Sequence, residues 1–166
     1  MSTTSSSATS TPSPTGVNLI TENPSFESGA WGWTFSGESD YVNSPVHDGS
    51  VSLVKRFDNT AGSSFDFKQF INVEQGASYT ASFWWSHTNP SADCRVFLKI
   101  DFSPDSTNVD TRTVAAGSWS QISLDFVATG TNTKVKGYAQ CEPTGVDGEA
   151  YSNIIYFDDV SLVKTG

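Results

Sequence analysis

The sequence predicts an all-β fold, a two-sheet antiparallel β-sandwich of the jelly-roll kind, and three observations carry that prediction. The chain is rich in Ser, Thr, Gly, Val, Phe and Trp and poor in Leu, Lys, Glu and Met, a composition that favours strands and turns. Several segments alternate apolar and polar residues with period two, and none has a convincing helical period. Turn residues separate these segments at the spacing typical of sandwiches. The length of 166 residues suits one domain.

The alternation predicts seven strands, each with one face in a core. In chain order they lie at 51–54, 67–73, 79–85, 96–100, 122–126, 135–141 and 155–162. Clusters of Gly, Pro, Asn, Asp and Ser predict the turns between them, and these clusters lie at 74–76, 89–91, 103–105, 116–118 and 129–132.

The first 16 residues predict a disordered linker. Of these residues, 13 are Ser, Thr or Pro and none is charged, so nothing offsets the entropy cost of ordering them. Such segments are typical of O-glycosylated stalks in secreted proteins. A cloning remnant or a plain disordered tail is the alternative. We expect residues 17–166 to fold as a unit, with another domain preceding the linker.

The charge balance excludes several classes of partner. With 9 Lys and Arg against 18 Asp and Glu, the net charge is −9, which repels phosphate backbones and anionic lipid. No run of about 18 apolar residues is present that could span a membrane. The sequence therefore predicts no nucleic-acid partner and no membrane association, and we expect a monomer.

Two cysteines, Cys94 and Cys141, lie near the ends of predicted strands. An even count in a secreted chain favours a disulfide, and closing a loop of about 47 residues contributes roughly 4 kcal/mol in the chain-entropy model. Two unpaired buried thiols are the alternative. No CxxC motif or Cys/His cluster indicates zinc.

Short motifs at both ends and in the middle of the chain resemble one known family. NPSFE occupies 23–27 and FDDVSL occupies 157–162, with HDGSVSL at 47–53, GASYTASFW at 76–84 and GSW at 117–119 between them. Their order closely resembles the cenC-type family of carbohydrate-binding modules, the jelly-roll modules attached to cellulases, xylanases and similar enzymes. The resemblance spans nearly all of residues 17–166, and the two Cys positions look like the version common in fungal secreted proteins.

The resemblance implies a structural calcium ion where the first and last strands meet. Carried over to this sequence, the ligands are Glu27 and Asp158, with backbone oxygens near Gly49 and Ser50 as further donors. Carboxylate and carbonyl oxygens are the ligands that calcium prefers. Asp158 and Asp159 face opposite ways by alternation, so only one of them is expected to bind directly. The alternative is that these carboxylates accept backbone N–H bonds.

Sugar binding requires an aromatic face against a pyranose ring and planar polar groups for its hydroxyls. Alternation predicts which side chains leave the core, and the outward set that could form such a site is Trp84, Arg95, Phe97, Gln121, Asp125, Tyr138 and Gln140. If strands 79–85 and 96–100 pair, Trp84 lies beside Phe97. Trp84, Phe97 and Tyr138 are the predicted stacking residues. A β-bulge upstream of any of them would reverse this assignment.

The remaining tryptophans have structural interpretations. Phe83 and Trp85 are predicted core residues by parity, and Trp33 is predicted core from its place after the opening motif. Trp119 begins a strand and is expected to pack rather than bind. Trp31 is the residue expected at the edge of the binding site.

Catalytic groups are scarce in this sequence. Both histidines, His47 and His87, read as loop residues, and GxSxG, HExxH and P-loop motifs are absent. No two carboxylates are obviously opposed as a glycosidase requires. We therefore expect no enzyme activity. The leading hypothesis is a secreted, non-catalytic module that binds β-glucan, cellulose or xylan chains and targets a tethered enzyme to them. The alternative is a structural or adhesive extracellular domain without sugar binding.

Overall fold

The computed structural model describes residues 16–101, 106–146, 148 and 150–166. The predicted linker up to residue 15 and the predicted turn at 103–105 lie outside these ranges. Ten strands are described: β1 (Thr34–Ser36), β2 (Asp40–Val42), β3 (Ser52–Asp58), β4 (Ser63–Asn72), β5 (Ser78–His87), β6 (Cys94–Asp101), β7 (Ser106–Asp110), β8 (Ser120–Val127), β9 (Asn132–Cys141) and β10 (Tyr151–Lys164). One short 3₁₀ helix, Thr111–Thr113, follows β7.

The strands form two antiparallel five-stranded sheets, which confirms the predicted β-sandwich. Sheet 1 has the order β1-β4-β9-β6-β7, and sheet 2 has the order β2-β3-β10-β5-β8. Each of the seven predicted strands corresponds to an observed one. In the described part of the chain, no helix is long and apolar enough to cross a membrane.

Aromatic rings from both sheets meet in the core around Phe67. Its ring centroid lies 5.1 Å from that of Phe157 and 5.5 Å from that of Phe83, both on sheet 2, and 5.5 Å from that of Trp33. Trp33 is buried and donates its indole N–H to the backbone oxygen of Asn23 at 2.8 Å. Trp85 is also fully buried, so the predicted core positions are confirmed.

The disulfide between Cys94 and Cys141 is formed as predicted. The two residues are direct partners on β6 and β9, so the bridge links two adjacent strands of sheet 1 covalently.

The first and last segments of the domain also contact each other. The segment before β1 runs along β10, where Asn18 pairs with Val163 and the amide of Val160 donates to the backbone oxygen of Pro24 at 2.9 Å. The two ends of the domain are thereby adjacent.

Three strands were not predicted: β1, β2 and β7. Each has three to five residues and lies at the edge of its sheet. Edge strands bury little side-chain area, so their sequences need not alternate as those of central strands do.

Candidate functional site

The predicted binding residues divide between the two outer faces of the sandwich. Strand β5 belongs to sheet 2, whereas β6 and β9 belong to sheet 1. Strands 79–85 and 96–100 therefore do not pair, and Trp84 does not lie beside Phe97. Parity within the strands that carry these residues, β5, β6, β8 and β9, is correct, but parity identifies a face and not the sheet to which that face belongs.

Trp84 is covered by a loop of its own sheet. The imidazole of His47 stacks on the indole, with ring centroids 4.0 Å apart and planes 14° apart. Trp119 contacts the same imidazole edge-on at 5.6 Å, and the Nδ1 atom of His47 lies 2.5 Å from a carboxylate oxygen of Asp159. The imidazole of His47 therefore occupies one face of the Trp84 indole, and the side chain as a whole is only partly exposed.

The two polar residues predicted beside Trp84 already form hydrogen bonds with side chains of sheet 2. Gln121 is the direct partner of Trp84 on β8 and donates to the Ser82 hydroxyl at 3.3 Å. Asp125 accepts a hydrogen bond of 2.5 Å from the Thr80 hydroxyl. These contacts hold β5 and β8 together.

The outer face of sheet 1 brings the other four predicted residues together. Phe97 and Tyr138 are direct partners, with ring centroids 5.2 Å apart and planes tilted by 58°. Arg95 and Gln140 are the next outward pair along the same two strands. Two adjacent, partly exposed rings with planar polar neighbours meet the requirements of sugar recognition.

Lysines border the aromatic pair. Lys68, Lys136 and Lys99 are cross-strand neighbours on β4, β9 and β6. The ammonium group of Lys99 lies 5.3 Å from the Phe97 ring centroid and 5.4 Å from that of Tyr138, within cation–π range.

Asp66 is the carboxylate nearest to this lysine row. Its two oxygens lie 3.4 Å from Lys68 Nζ and 3.1 Å from Lys136 Nζ. Burial raises the pKa of Asp66, but a hydrogen bond from Ser36 and the two ammonium groups outweigh this, so its pKa lies below the ordinary value. The Asp66 carboxylate thus forms ion pairs with two lysines.

A pocket of about 240 Å³ lies next to the aromatic pair, and its lining comprises Asp93, Arg95, Arg112, Gln140 and Glu142. The Tyr138 hydroxyl donates to Gln140 at 3.1 Å, and the Gln140 amide donates to Glu142 at 3.4 Å. These bonds extend the polar surface from the rings into the pocket.

One aromatic residue of this face was missed from the sequence. Phe70 is 63% exposed on β4, and Lys134 Nζ lies 4.8 Å from its ring centroid. Because Phe65, Phe67 and Ile71 point inward, the same alternation places Phe70 outward, so the signal was present. Trp31 is 59% exposed in the turn before the edge strand β1, where a residue bordering the site was expected.

The predicted calcium ligands, Glu27 and Asp158, both bind the backbone of one loop. Glu27 Oε1 accepts the amide N–H groups of Ser50 and Val51 at 2.7 and 3.0 Å. Asp158 Oδ2 accepts the amide of His47 at 2.9 Å, and its Oδ1 accepts the amide of Asp159 at the same distance. The two carboxylates therefore bind the loop before β3 near its two ends. They accept backbone N–H groups, as the alternative interpretation of these residues stated.

The structural calcium ion that the family resemblance implies remains a prediction. Three of the four carboxylate oxygens accept N–H groups, and each oxygen retains a second lone pair that could coordinate a cation. Across the ranges that the structure describes, no group of three or more His, Cys, Asp or Glu side chains could hold a metal ion. Burial raises the pKa of Asp158 to about 6, the neighbouring Asp159 adds to this, and the amide donors oppose it.

Comparison with protein families decides the classification. Residues 18–145 match the family model described as a carbohydrate binding domain. The chain belongs to this family. As a carbohydrate-binding module it binds polysaccharide, and the two-sheet sandwich is the scaffold that presents its site. A comparison with curated proteins finds no match.

Several solved structures of similar fold are carbohydrate-binding modules. One is a CBM61 module solved with β-1,4-galactotriose, with 21% identity, a TM-score of 0.68, and coverage of 90% of this chain and 99% of that one. Another is the CBM22-1 xylan-binding domain of Paenibacillus barcinonensis Xyn10C, with 17% identity, a TM-score of 0.53, and coverage of 92% and 97%. The C-terminal CBM22 module of Clostridium thermocellum Xyn10B shows 17% identity and a TM-score of 0.55, with coverage of 86% and 91%. At these identities the similarity establishes the fold alone.

Proposed function

We propose that this module is non-catalytic and binds single polysaccharide chains on the outer face of sheet 1. The carrying observation is the Phe97–Tyr138 pair, which offers two adjacent rings on paired central strands. Gln140 and Arg95 lie on the same face and can hydrogen-bond hydroxyl groups of the chain. The corresponding face of sheet 2 is a weaker candidate, because His47 covers Trp84.

The proposed ligands are plant or fungal cell-wall chains of the glucan, cellulose or xylan kind. The β-1,4-galactotriose bound to one module of similar fold and the xylan binding named for another support a soluble chain rather than a crystalline surface. Phe70 and the Phe97–Tyr138 pair lie on different strands and at different levels of the sheet, which also favours a chain crossing the strands.

The proposed biological role is to hold a secreted enzyme on its substrate. Tethering raises the local concentration of substrate around a catalytic domain. The Ser/Thr/Pro-rich segment at 1–16 and the motif order of the cenC-type family, in its fungal form, support this arrangement. One structure of similar fold combines a CBM22-1 module with a GH10 module in a xylanase.

Affinity electrophoresis through gels containing β-glucan, xylan, galactan or mannan tests the proposal. We expect retardation of the wild-type domain in one gel and its loss in the Phe97→Ala/Tyr138→Ala double variant. Tyr151→Ala is the matched control, because Tyr151 is an exposed aromatic residue on sheet 2. Equal mobility of the wild type in every gel would favour the structural or adhesive role instead.

A further inference from the structure

Basic residues are unevenly distributed over this acidic protein. The chain has nine Lys and Arg in total. Five of them lie at outward positions of sheet 1, on β4, β6 and β9: Lys68, Arg95, Lys99, Lys134 and Lys136. A chain with a net charge of −9 thus concentrates more than half of its cations on the face that carries the proposed sugar site.

Most carboxylates of this face are already paired. Asp66 is shared by two lysines, as described above, and Asp101 pairs with Lys134. Asp110 accepts from Arg112 at 2.6 Å, and Arg112 follows β7 in the 3₁₀ helix. These carboxylates therefore leave part of the positive charge uncompensated.

Among the described residues of this face, Lys99 and Arg95 form no ion pair within 4.0 Å. Arg95 nevertheless lies opposite Asp110 on β7, where its charge helps to lower the pKa of that carboxylate, and it lines the pocket that also contains Asp93 and Glu142. Arg95 donates to the amide oxygen of Asn108 at 3.3 Å, and Lys99 lies over the two rings. Both project from β6 on the same side as Phe97, two residues before and two residues after it.

We propose that this face selects glycan chains that carry carboxylates, that is, polysaccharides containing uronic acids. This inference rests on the proposed function, since it assigns a ligand class to the same site. A sugar ring stacked on Phe97 and Tyr138 would place its carboxylate within reach of Lys99 or Arg95. A guanidinium group can hold a carboxylate with two parallel hydrogen bonds.

The overall negative charge does not oppose this selection at close range. At physiological ionic strength, charges separated by more than about 8 Å are largely screened, so the local cations dominate the potential felt by a bound chain. The Lys99 ammonium group already lies at the rings, which reduces the conformational entropy lost when a ligand pairs with it.

A matched pair of polymers tests the inference. The first is xylan bearing glucuronic acid groups, and the second is the same xylan after its carboxyl groups have been reduced to alcohols. Isothermal titration calorimetry of the wild-type domain is expected to show about ten-fold tighter binding of the carboxylated polymer. Raising the salt concentration is expected to reduce that difference.

Variants assign the preference to the two cations. Arg95→Gln/Lys99→Gln is expected to bind both polymers with similar affinity, whereas Lys99→Arg keeps the charge and is expected to retain the preference. Arg56→Gln is the control, because Arg56 lies on sheet 2 and pairs with Asp40.

Equal or weaker binding of the carboxylated xylan overturns the inference and leaves neutral polysaccharide binding intact. The inference is also overturned if the preference survives in the Arg95→Gln/Lys99→Gln variant. Failure to bind either xylan, together with equal mobility in all the neutral gels, overturns the proposed function as well.

Discussion

Phe97 and Tyr138 face each other as direct partners on β6 and β9, with ring centroids 5.2 Å apart. The disulfide between Cys94 and Cys141 joins the same two strands three residues away on each, so the rings lie on a covalently tied part of sheet 1. A rigid pair of this kind loses little freedom when a sugar ring stacks on it. The binding surface is therefore built into the scaffold.

The Tyr138 ring and its hydroxyl are expected to contribute differently to binding. Tyr138→Phe keeps the stacking surface and loses only the hydrogen bond to Gln140, so it should weaken binding a few-fold at most. Tyr138→Ala removes the ring and should weaken binding about ten-fold or more. Titration calorimetry with the retarding glycan measures both. Equal losses in the two variants would show that the hydroxyl, not the ring, makes the decisive contact.

Removing the disulfide should destabilise the domain without changing its fold. The bridge closes a loop with a sequence separation of 47 residues, which corresponds to roughly 4 kcal/mol in the chain-entropy model. Thermal unfolding of Cys94→Ala/Cys141→Ala is expected to show a melting temperature lower by roughly 10 °C. An unchanged melting temperature would mean that the bridge does not constrain the unfolded chain.

Gly137 has no room for a side chain. It is the direct partner of Phe67, and a Cβ atom at this position would overlap the Phe67 ring. Gly137→Ala should cost about 1–3 kcal/mol of unfolding free energy, measured by urea denaturation. Gly130→Ala is the control, because the nearest atom to its added Cβ lies 3.9 Å away. If the two variants are equally stable, the Phe67 ring moves aside at little cost.

The Asp110–Arg112 pair should contribute modest, pH-dependent stability. The hydrogen bond from Arg112 lowers the pKa of Asp110 to about 2, below its ordinary value of 3.8. Because the folded-state pKa is the lower one, the contribution is present above about pH 4 and is lost as the pH falls through 2. Asp110→Asn is expected to cost no more than about 1 kcal/mol at pH 7, since solvent screens the pair.

Urea denaturation of the wild type and Asp110→Asn at pH 7 and at pH 2 measures this contribution. The stability difference between the two proteins should shrink at the lower pH. A difference of the same size at both values would assign the contribution to packing rather than to charge.

Glu27 should stabilise the domain through the loop that it holds, whether or not calcium is present. Glu27→Ala removes the acceptor for the amides of Ser50 and Val51 and should cost about 1 kcal/mol. Melting curves of wild type and variant in EDTA and in calcium are expected to show the same difference. A difference that appears only with calcium would support the metal site inferred from the family resemblance.

The sequence predicted the central strands because their two faces differ in chemistry. In β5, for example, Tyr79, Ala81, Phe83 and Trp85 are buried, as alternation requires. It could not predict which strands share a sheet, since that depends on contacts across the whole chain. Trp84 and Phe97 were for this reason placed on one face although they belong to opposite sheets.

Contacts made by loops could also not be predicted from the sequence. Nothing in the HDG motif indicates that His47 covers Trp84, because the two residues are distant along the chain and meet only in the folded state. Phe70 differs, since the alternation that identified Phe97 also places Phe70 outward on β4. The aromatic part of the site was therefore predictable, whereas the loop that excludes the other face was not.

The most direct test of the central claim is a ¹H–¹⁵N NMR titration of the domain with oligosaccharides of the glycan that retards it. We predict that the largest shift changes fall on Phe97, Lys99, Tyr138 and their neighbours on β4, β6 and β9. The indole signal of Trp84 and the amides of His47 and Gln121 should remain unchanged. Changes concentrated on those sheet 2 residues, with Phe97 and Tyr138 unaffected, would contradict the assignment of the binding site to sheet 1.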